Sequence, residues 1–152
     1  MVDPNSLQLR LQGYADCFAE TDFESELRQI QAKGVGGDPT GDLTEVALKY
    51  LALCILHGIN QGASHLTIES EGTMNGACRL IGGHEVRLPS PPTGMARRMI
   101  EILRCMAGME KDSGTAKIAF GFRNDRFDLD FQATTDRDRQ EILIRLPRVL
   151  PA

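Results

Sequence analysis

Ala47-Leu48-Lys49-Tyr50-Leu51-Ala52-Leu53-Cys54-Ile55-Leu56-His57-Gly58-Ile59-Asn60 runs directly into Gln61-Gly62-Ala63-Ser64-His65-Leu66-Thr67-Ile68-Glu69-Ser70. The first half has helical periodicity: Val46, Leu48, Leu51, Cys54, Ile55 and Ile59 form a broad apolar stripe. Asn60 and Gly62 are residue types that end helices. The second half alternates, with Leu66 and Ile68 on one side and His65, Thr67 and Glu69 on the other, as in a half-buried strand. A helix feeding straight into a strand, with more strands to follow, sets the fold class as α+β.

Downstream, a second strand is expected over 77–81. Gly82-Gly83 turns it into a third around 85–88, and Pro89-Ser90-Pro91-Pro92 closes that segment. A helix over 93–107 presents Met95, Met99, Ile102, Leu103 and Met106 to the core, with Arg97, Arg98, Glu101 and Arg104 mostly outside. Three alternating runs then follow: Ile118/Phe120/Phe122, Phe127/Leu129/Phe131/Ala133 and Ile142/Ile144/Leu146. Short polar turns between them predict an antiparallel meander with one buried face. The expected architecture is an antiparallel sheet of about six strands with helices packed on one face.

Upstream, Asp3-Pro4 suits a helix start, and Leu7, Leu11, Tyr14 and Phe18 share a face. Phe23, Leu27 and Ile30 align in a second short helix after Asp22. The segment 34–41, Gly-Val-Gly-Gly-Asp-Pro-Thr-Gly, has the composition of a flexible linker. It divides the chain into an N-terminal helical arm, 1–33, and an α+β domain, 42–152. Asp42 and Glu45 have capping-box spacing at the start of the central helix.

At 152 residues, 41% hydrophobic and 25% charged, the chain has the makings of an ordinary globular domain. A net charge of −4 and a sequence without Trp argue against a nucleic-acid surface. No apolar run is long enough to cross a bilayer, and no signal peptide is visible, which sets the expectation of a cytoplasmic protein without membrane insertion. Cys17, Cys54, Cys78 and Cys105 are scattered, as free thiols in a reducing compartment would be.

Catalytic patterns fail on inspection. Gly36 and Gly41 have phosphate-loop spacing, but Asp42 and Leu43 stand where Lys and Ser or Thr are needed. Cys54 and His57 lie one helical turn apart, short of the three or four ligands that zinc needs. Asp128 and Asp130 share the solvent side of their strand. A Cys–His nucleophile has no residue to single it out. No cofactor or metal site is expected. Met95, Met99, Met106 and Met109 have the spacing of an adaptable groove and equally of plain core.

Gly62-Ala63-Ser64-His65-Leu66-Thr67-Ile68-Glu69 resembles the G-A-S-D-[IL]-H-[IL]-E signature of the ATPases of type II secretion and type IV pili. In order, Cys78-Arg79-Leu80-Ile81-Gly82 resembles that family's Y-R-I-D-G. Leu103-Arg104-Cys105-Met106-Ala107-Gly108-Met109-Glu110 resembles I-K-x-M-A-G-L-D, and Ile142-Leu143-Ile144-Arg145-Leu146 resembles V-V-L-R-L. The resemblance covers roughly residues 42–148 and implies the PAS-like domain that precedes the motor. His65, Thr67 and Ile81 replace polar signature positions. Lys111-Asp112-Ser113-Gly114-Thr115 lacks the arginine of P-Q-D-G-R, and Asp130 stands where the family's strand arginine would be.

No phosphate loop, acidic box or histidine box occurs up to Ala152. The resemblance therefore implies a non-catalytic, protein-binding relative whose partner is a secretion or pilus ATPase or another secretion component. A homo-oligomer is compatible with it. The retained surface positions are Arg79 and Arg145, with Arg97 and Arg98 as a second patch. The alternative reading is a sensor with a small ligand between sheet and helix; an enzyme using Cys or His ranks last.

Overall fold

The computed structural model describes residues 4–33, 43–71, 75–82, 85–88, 94–108, 114–122 and 125–147. The elements follow in the order α1 (Pro4–Phe18), α2 (Phe23–Lys33), α3 (Leu43–Asn60), β1 (His65–Glu71), β2 (Asn75–Ile81), β3 (Glu85–Arg87), α4 (Met95–Ala107), β4 (Gly114–Phe122), β5 (Asp125–Asp136) and β6 (Arg139–Arg145). The fold is α+β, as the alternating and helical patterns require. The readings placed on Asp3, segment 34–41, Asp42 and Met109 fall outside the described residues.

Five strands form one antiparallel sheet in the order β2-β1-β6-β5-β4, and the three-residue β3 pairs with the outer side of β2. The first and last strands meet at its centre, with Leu66 opposite Ile144 and Ile68 opposite Ile142. One face carries Leu66, Ile68, Cys78, Leu80, Ile118, Phe120, Leu129, Phe131, Ile142 and Ile144, all buried. Fully burying each such side chain is worth about 1.5–3 kcal/mol before entropy is charged against it.

α3 lies within this core. The sequence shows a stripe, yet Ala47, Leu48, Tyr50, Leu51, Ala52, Leu53, Cys54, Ile55 and Leu56 are all fully buried. A helix apolar all round has neighbours all round. Here they are α1, α2, α4 and β1.

The N-terminal helices are therefore no appended arm. Leu7, Leu11, Ala15, Phe23 and Leu27 belong to the same hydrophobic cluster as the sheet residues. The expectation of a separate 1–33 arm is corrected on this point. An apolar helical face must bury itself against something, and for α1 and α2 that is α3. Two polar links add to the contact: Arg10 and Tyr14 both bond the Glu45 carboxylate. Asp22 caps α2 by accepting from the Ser25 N–H at 3.1 Å.

The corner between α3 and β1 is tightly specified. Gly62 has φ 71°, a left-handed conformation costly for any residue with a Cβ. The N–H groups of Gly62 and Ala63 then bond the carbonyls of Ile59 and Gly58 at 3.1 and 3.0 Å, which satisfies the last helical acceptors. The Ser64 N–H donates to the Ile81 carbonyl at 2.7 Å, and the Ser64 carbonyl accepts from Leu146 at 2.9 Å. The corner thus locks both neighbours of β1.

α4 crosses the apolar face of the sheet. Its buried residues include Met95, Ala96, Met99, Ile100, Ile102 and Leu103. It approaches β2 at Gly76, where an added Cβ would lie 2.2 Å from the Ala96 Cβ. That contact puts α4 on the opposite side of the sheet from Arg79.

Candidate functional site on the open face of the sheet

The described helices gather on the apolar face, which leaves the other face to the alternate residues of each strand. Strand register arranges these residues in rows. One row runs Lys117, Asp130, Arg145, His65 and Ile81; the next runs Thr115, Gln132, Leu143, Thr67, Arg79 and Arg87. A third holds Thr134, Glu141, Glu69 and Ala77, and a fourth Asp136, Arg139 and Glu71. Two of the sequence-predicted residues, Arg79 and Arg145, therefore share this face.

Glu69 is the organising acid. Its Oε1 lies 3.4 Å from Arg79 Nη1 and 3.1 Å from Arg139 Nη2. The Glu69 side chain is only 18% exposed, whereas Arg79 is 33% and Arg139 56% exposed. Arg139 also approaches Glu141 at 3.9 Å, and Lys117 approaches Asp130 at 3.7 Å. The cross-strand pairs among these, Arg79 and Arg139 with Glu69 on the diagonal and Lys117 directly opposite Asp130, are each worth about 0.2–1 kcal/mol. Arg145, exposed near the centre of the sheet, stands opposite both Asp130 and His65. His65 is held by the Ser64 hydroxyl at 2.9 Å from its Nδ1.

Arg97 and Arg98 do not join this face. They lie on α4, in the other layer, where Arg97 pairs with Glu101 at 3.5 Å and Arg98 pairs with the same acid at 3.1 Å. Arg98 also donates to the Thr44 hydroxyl and so ties α4 to α3. Sequence inspection put four arginines forward as surface candidates; the structure splits them between two sides. It also brings in Glu69, Arg87 and Arg139. Strand alternation places each of these on the polar side, but only register, set between strands far apart in sequence, groups them.

The cysteine and histidine candidates sit elsewhere. Cys54 faces Tyr50 and Cys78 in the core, and burial, then the Cys78 thiol, pushes its pKa well up. A buried protonated thiol is a poor nucleophile. Burial likewise raises the Tyr50 phenol, with Cys54 and Cys78 adding to the effect. His57, half-buried, packs against the Phe23 ring at 6.4 Å between centroids. Burial lowers its pKa, against the opposing pull of Glu24 and Asp22. Cys54 and His57 thus point into different surroundings. Among the described residues, no three of His, Cys, Asp and Glu converge as a metal site would require. Met95 and Met99 are fully buried, while Met106 packs at the edge of the core.

A groove of about 550 Å³ runs between α1 and the β4–β5 hairpin. Two of its polar side chains are already committed. Gln12 donates to the Gly121 carbonyl at 3.0 Å and accepts from the Gly121 N–H at 2.8 Å, and Gln8 donates to the Ala119 carbonyl at 3.4 Å. These glutamines serve the edge of β4, so the open sheet face is the stronger candidate site. No described helix is long and apolar enough to cross a membrane. Neither a family model nor a curated protein matches the chain.

Proposed function

We propose that this chain is a non-catalytic protein-interaction module akin to the PAS-like domain ahead of the motor core in secretion and pilus ATPases. It works in the cytoplasm and binds such a motor, or another secretion component, through the open sheet face. The observation that carries the reading is the asymmetry of the sheet. One face is buried throughout, while the other displays Arg79 and Arg145 in fixed cross-strand positions. The corner from Gly62 to Ser64, on which the resemblance rests, adds support because it links β1 to both its neighbours. A rigid charged sheet face favours specific docking through electrostatic complementarity.

The test is direct binding of the purified chain to the secretion and pilus ATPases of its source organism. Arg79→Glu/Arg145→Glu is expected to weaken binding at least roughly tenfold. Arg97→Glu, on the opposite layer, should change it by less than about twofold. Absence of binding to every such motor, or equal binding by the double variant, would refute the proposal.

A further inference from the structure

Among the described residues, β4 is the last strand at its end of the sheet. Gln12 bonds both the N–H and the carbonyl of Gly121, which shows that Gly121 turns its backbone away from β5. That orientation alternates along an antiparallel strand. Thr115, Lys117 and Ala119 therefore aim their backbone groups outward too, while Ala116, Ile118 and Phe120 bond to β5. α1 covers only one end of this edge, through Gln12 at Gly121 and Gln8 at the Ala119 carbonyl. No described residue bonds the Ala119 N–H or the outward groups of Lys117 and Thr115. A bare run of donors and acceptors of this kind is a template for another strand.

The side chains select which strand. Thr115, Lys117 and Ala119 lie on the polar face, and Ala116 and Ile118 on the apolar face, where α4 packs. Lys117 is 71% exposed, with Asp130 at 3.7 Å on its β5 side. A second copy of this chain fits poorly. Any antiparallel self-pairing that joins two or more of Thr115, Lys117 and Ala119 to their counterparts sets the two lysines directly opposite or diagonal to each other. Like charges so placed destabilise a sheet. An acid on the incoming strand instead gives the ammonium a carboxylate on each side.

We propose that the open stretch of β4, 115–119, is a strand-addition site for an extended segment of a protein partner. The segment carries Asp or Glu beside Lys117 and apolar residues beside Ala116 and Ile118. Main-chain bonds supply the binding, and alternate side chains supply the selection. The site lies apart from Arg79 and Arg145, so it stands or falls separately from the proposed function.

The experiment titrates the isotope-labelled chain with the peptide acetyl-Thr-Val-Glu-Val-Thr-amide and follows backbone amide exchange. In the free chain, the amides of Thr115, Lys117 and Ala119 should exchange faster than those of Ile118 and Phe120. The peptide should slow those three amides saturably. N-methylation of the peptide's Glu, whose N–H meets the Lys117 carbonyl, should abolish binding, while N-methylation of either Val should preserve it. Replacing the peptide's Glu with Lys should weaken binding at least roughly fivefold, and Lys117→Glu should reverse that preference.

Unchanged exchange at the three amides under saturating peptide overturns the site, as does equal binding by the two kinds of N-methylated peptide. Equal binding of the Glu and Lys peptides overturns the acidic assignment. If the three amides are already slow in the free chain and quicken on dilution, the edge belongs to a second copy and the proposal falls.

Discussion

Ser64 bonds in two directions across the sheet. Its N–H and hydroxyl both reach the Ile81 carbonyl, and its own carbonyl accepts from Leu146. With Gly62 supplying the left-handed turn, these residues have an architectural reason to be what they are. Gly76 has another: the closeness of Ala96 leaves no space for a side chain. In Gly76→Ala the new Cβ would also lie 3.3 Å from the Glu69 carbonyl. A loss of about 1–3 kcal/mol is expected in urea unfolding, partly recovered by adding Ala96→Gly. An unchanged midpoint would mean that α4 does not pack there. At His57, burial lowers the pKa from its ordinary value of 6.5, so the folded chain favours the neutral ring. That contribution is complete above the unfolded-state value and is lost as pH falls through the lowered folded-state value. Between about pH 7.5 and about pH 5, the urea midpoint should therefore drop more in the parent chain than in His57→Gln.

α1 acts at the scale of an element. β4 ends the sheet, and an edge strand exposes backbone donors and acceptors. Gln12 supplies the Gly121 N–H and carbonyl with the two bonds a neighbouring strand residue would make. α1 is held there by Leu7 and Leu11 in the core and by Arg10 and Tyr14 on Glu45. Gln12→Ala is expected to cost about 1 kcal/mol and to speed amide hydrogen exchange at Gly121. Unchanged exchange there would show that the helix does not protect the edge. At the other end of the sheet, the shortness of β3 limits what that edge can pair with.

For the whole molecule, one core has one consequence. Residues from α1, α2, α3, α4 and the sheet share a single hydrophobic cluster, so they should unfold together. Urea unfolding followed by circular dichroism and by tyrosine fluorescence, with Tyr14 and Tyr50 as the probes, should give coincident transitions. A separate early step confined to α1 and α2 would restore the idea of an appended arm. Removal of residues 1–33 should leave a chain without a cooperative transition, because it strips Leu7, Leu11, Phe23 and Leu27 from around α3.

Element type was largely legible in the sequence, because side-chain periodicity is a local property. The spacing of apolar residues marks α3 and α4 as helices, and alternation marks β1 and β4 to β6 as strands, with Arg145 and Asp130 on the polar side. Gly62 marks a helix end because few other residues adopt that backbone conformation. What surrounds each element was not legible. Only the tertiary structure pairs β1 with β6, buries α3 on every side and brings α1 and α2 into the core. It alone sets Arg79 opposite Arg87 and separates both from Arg97 and Arg98. The physical reason is that an apolar stripe records that a face is buried, while the partner that buries it is chosen by packing among segments distant along the chain.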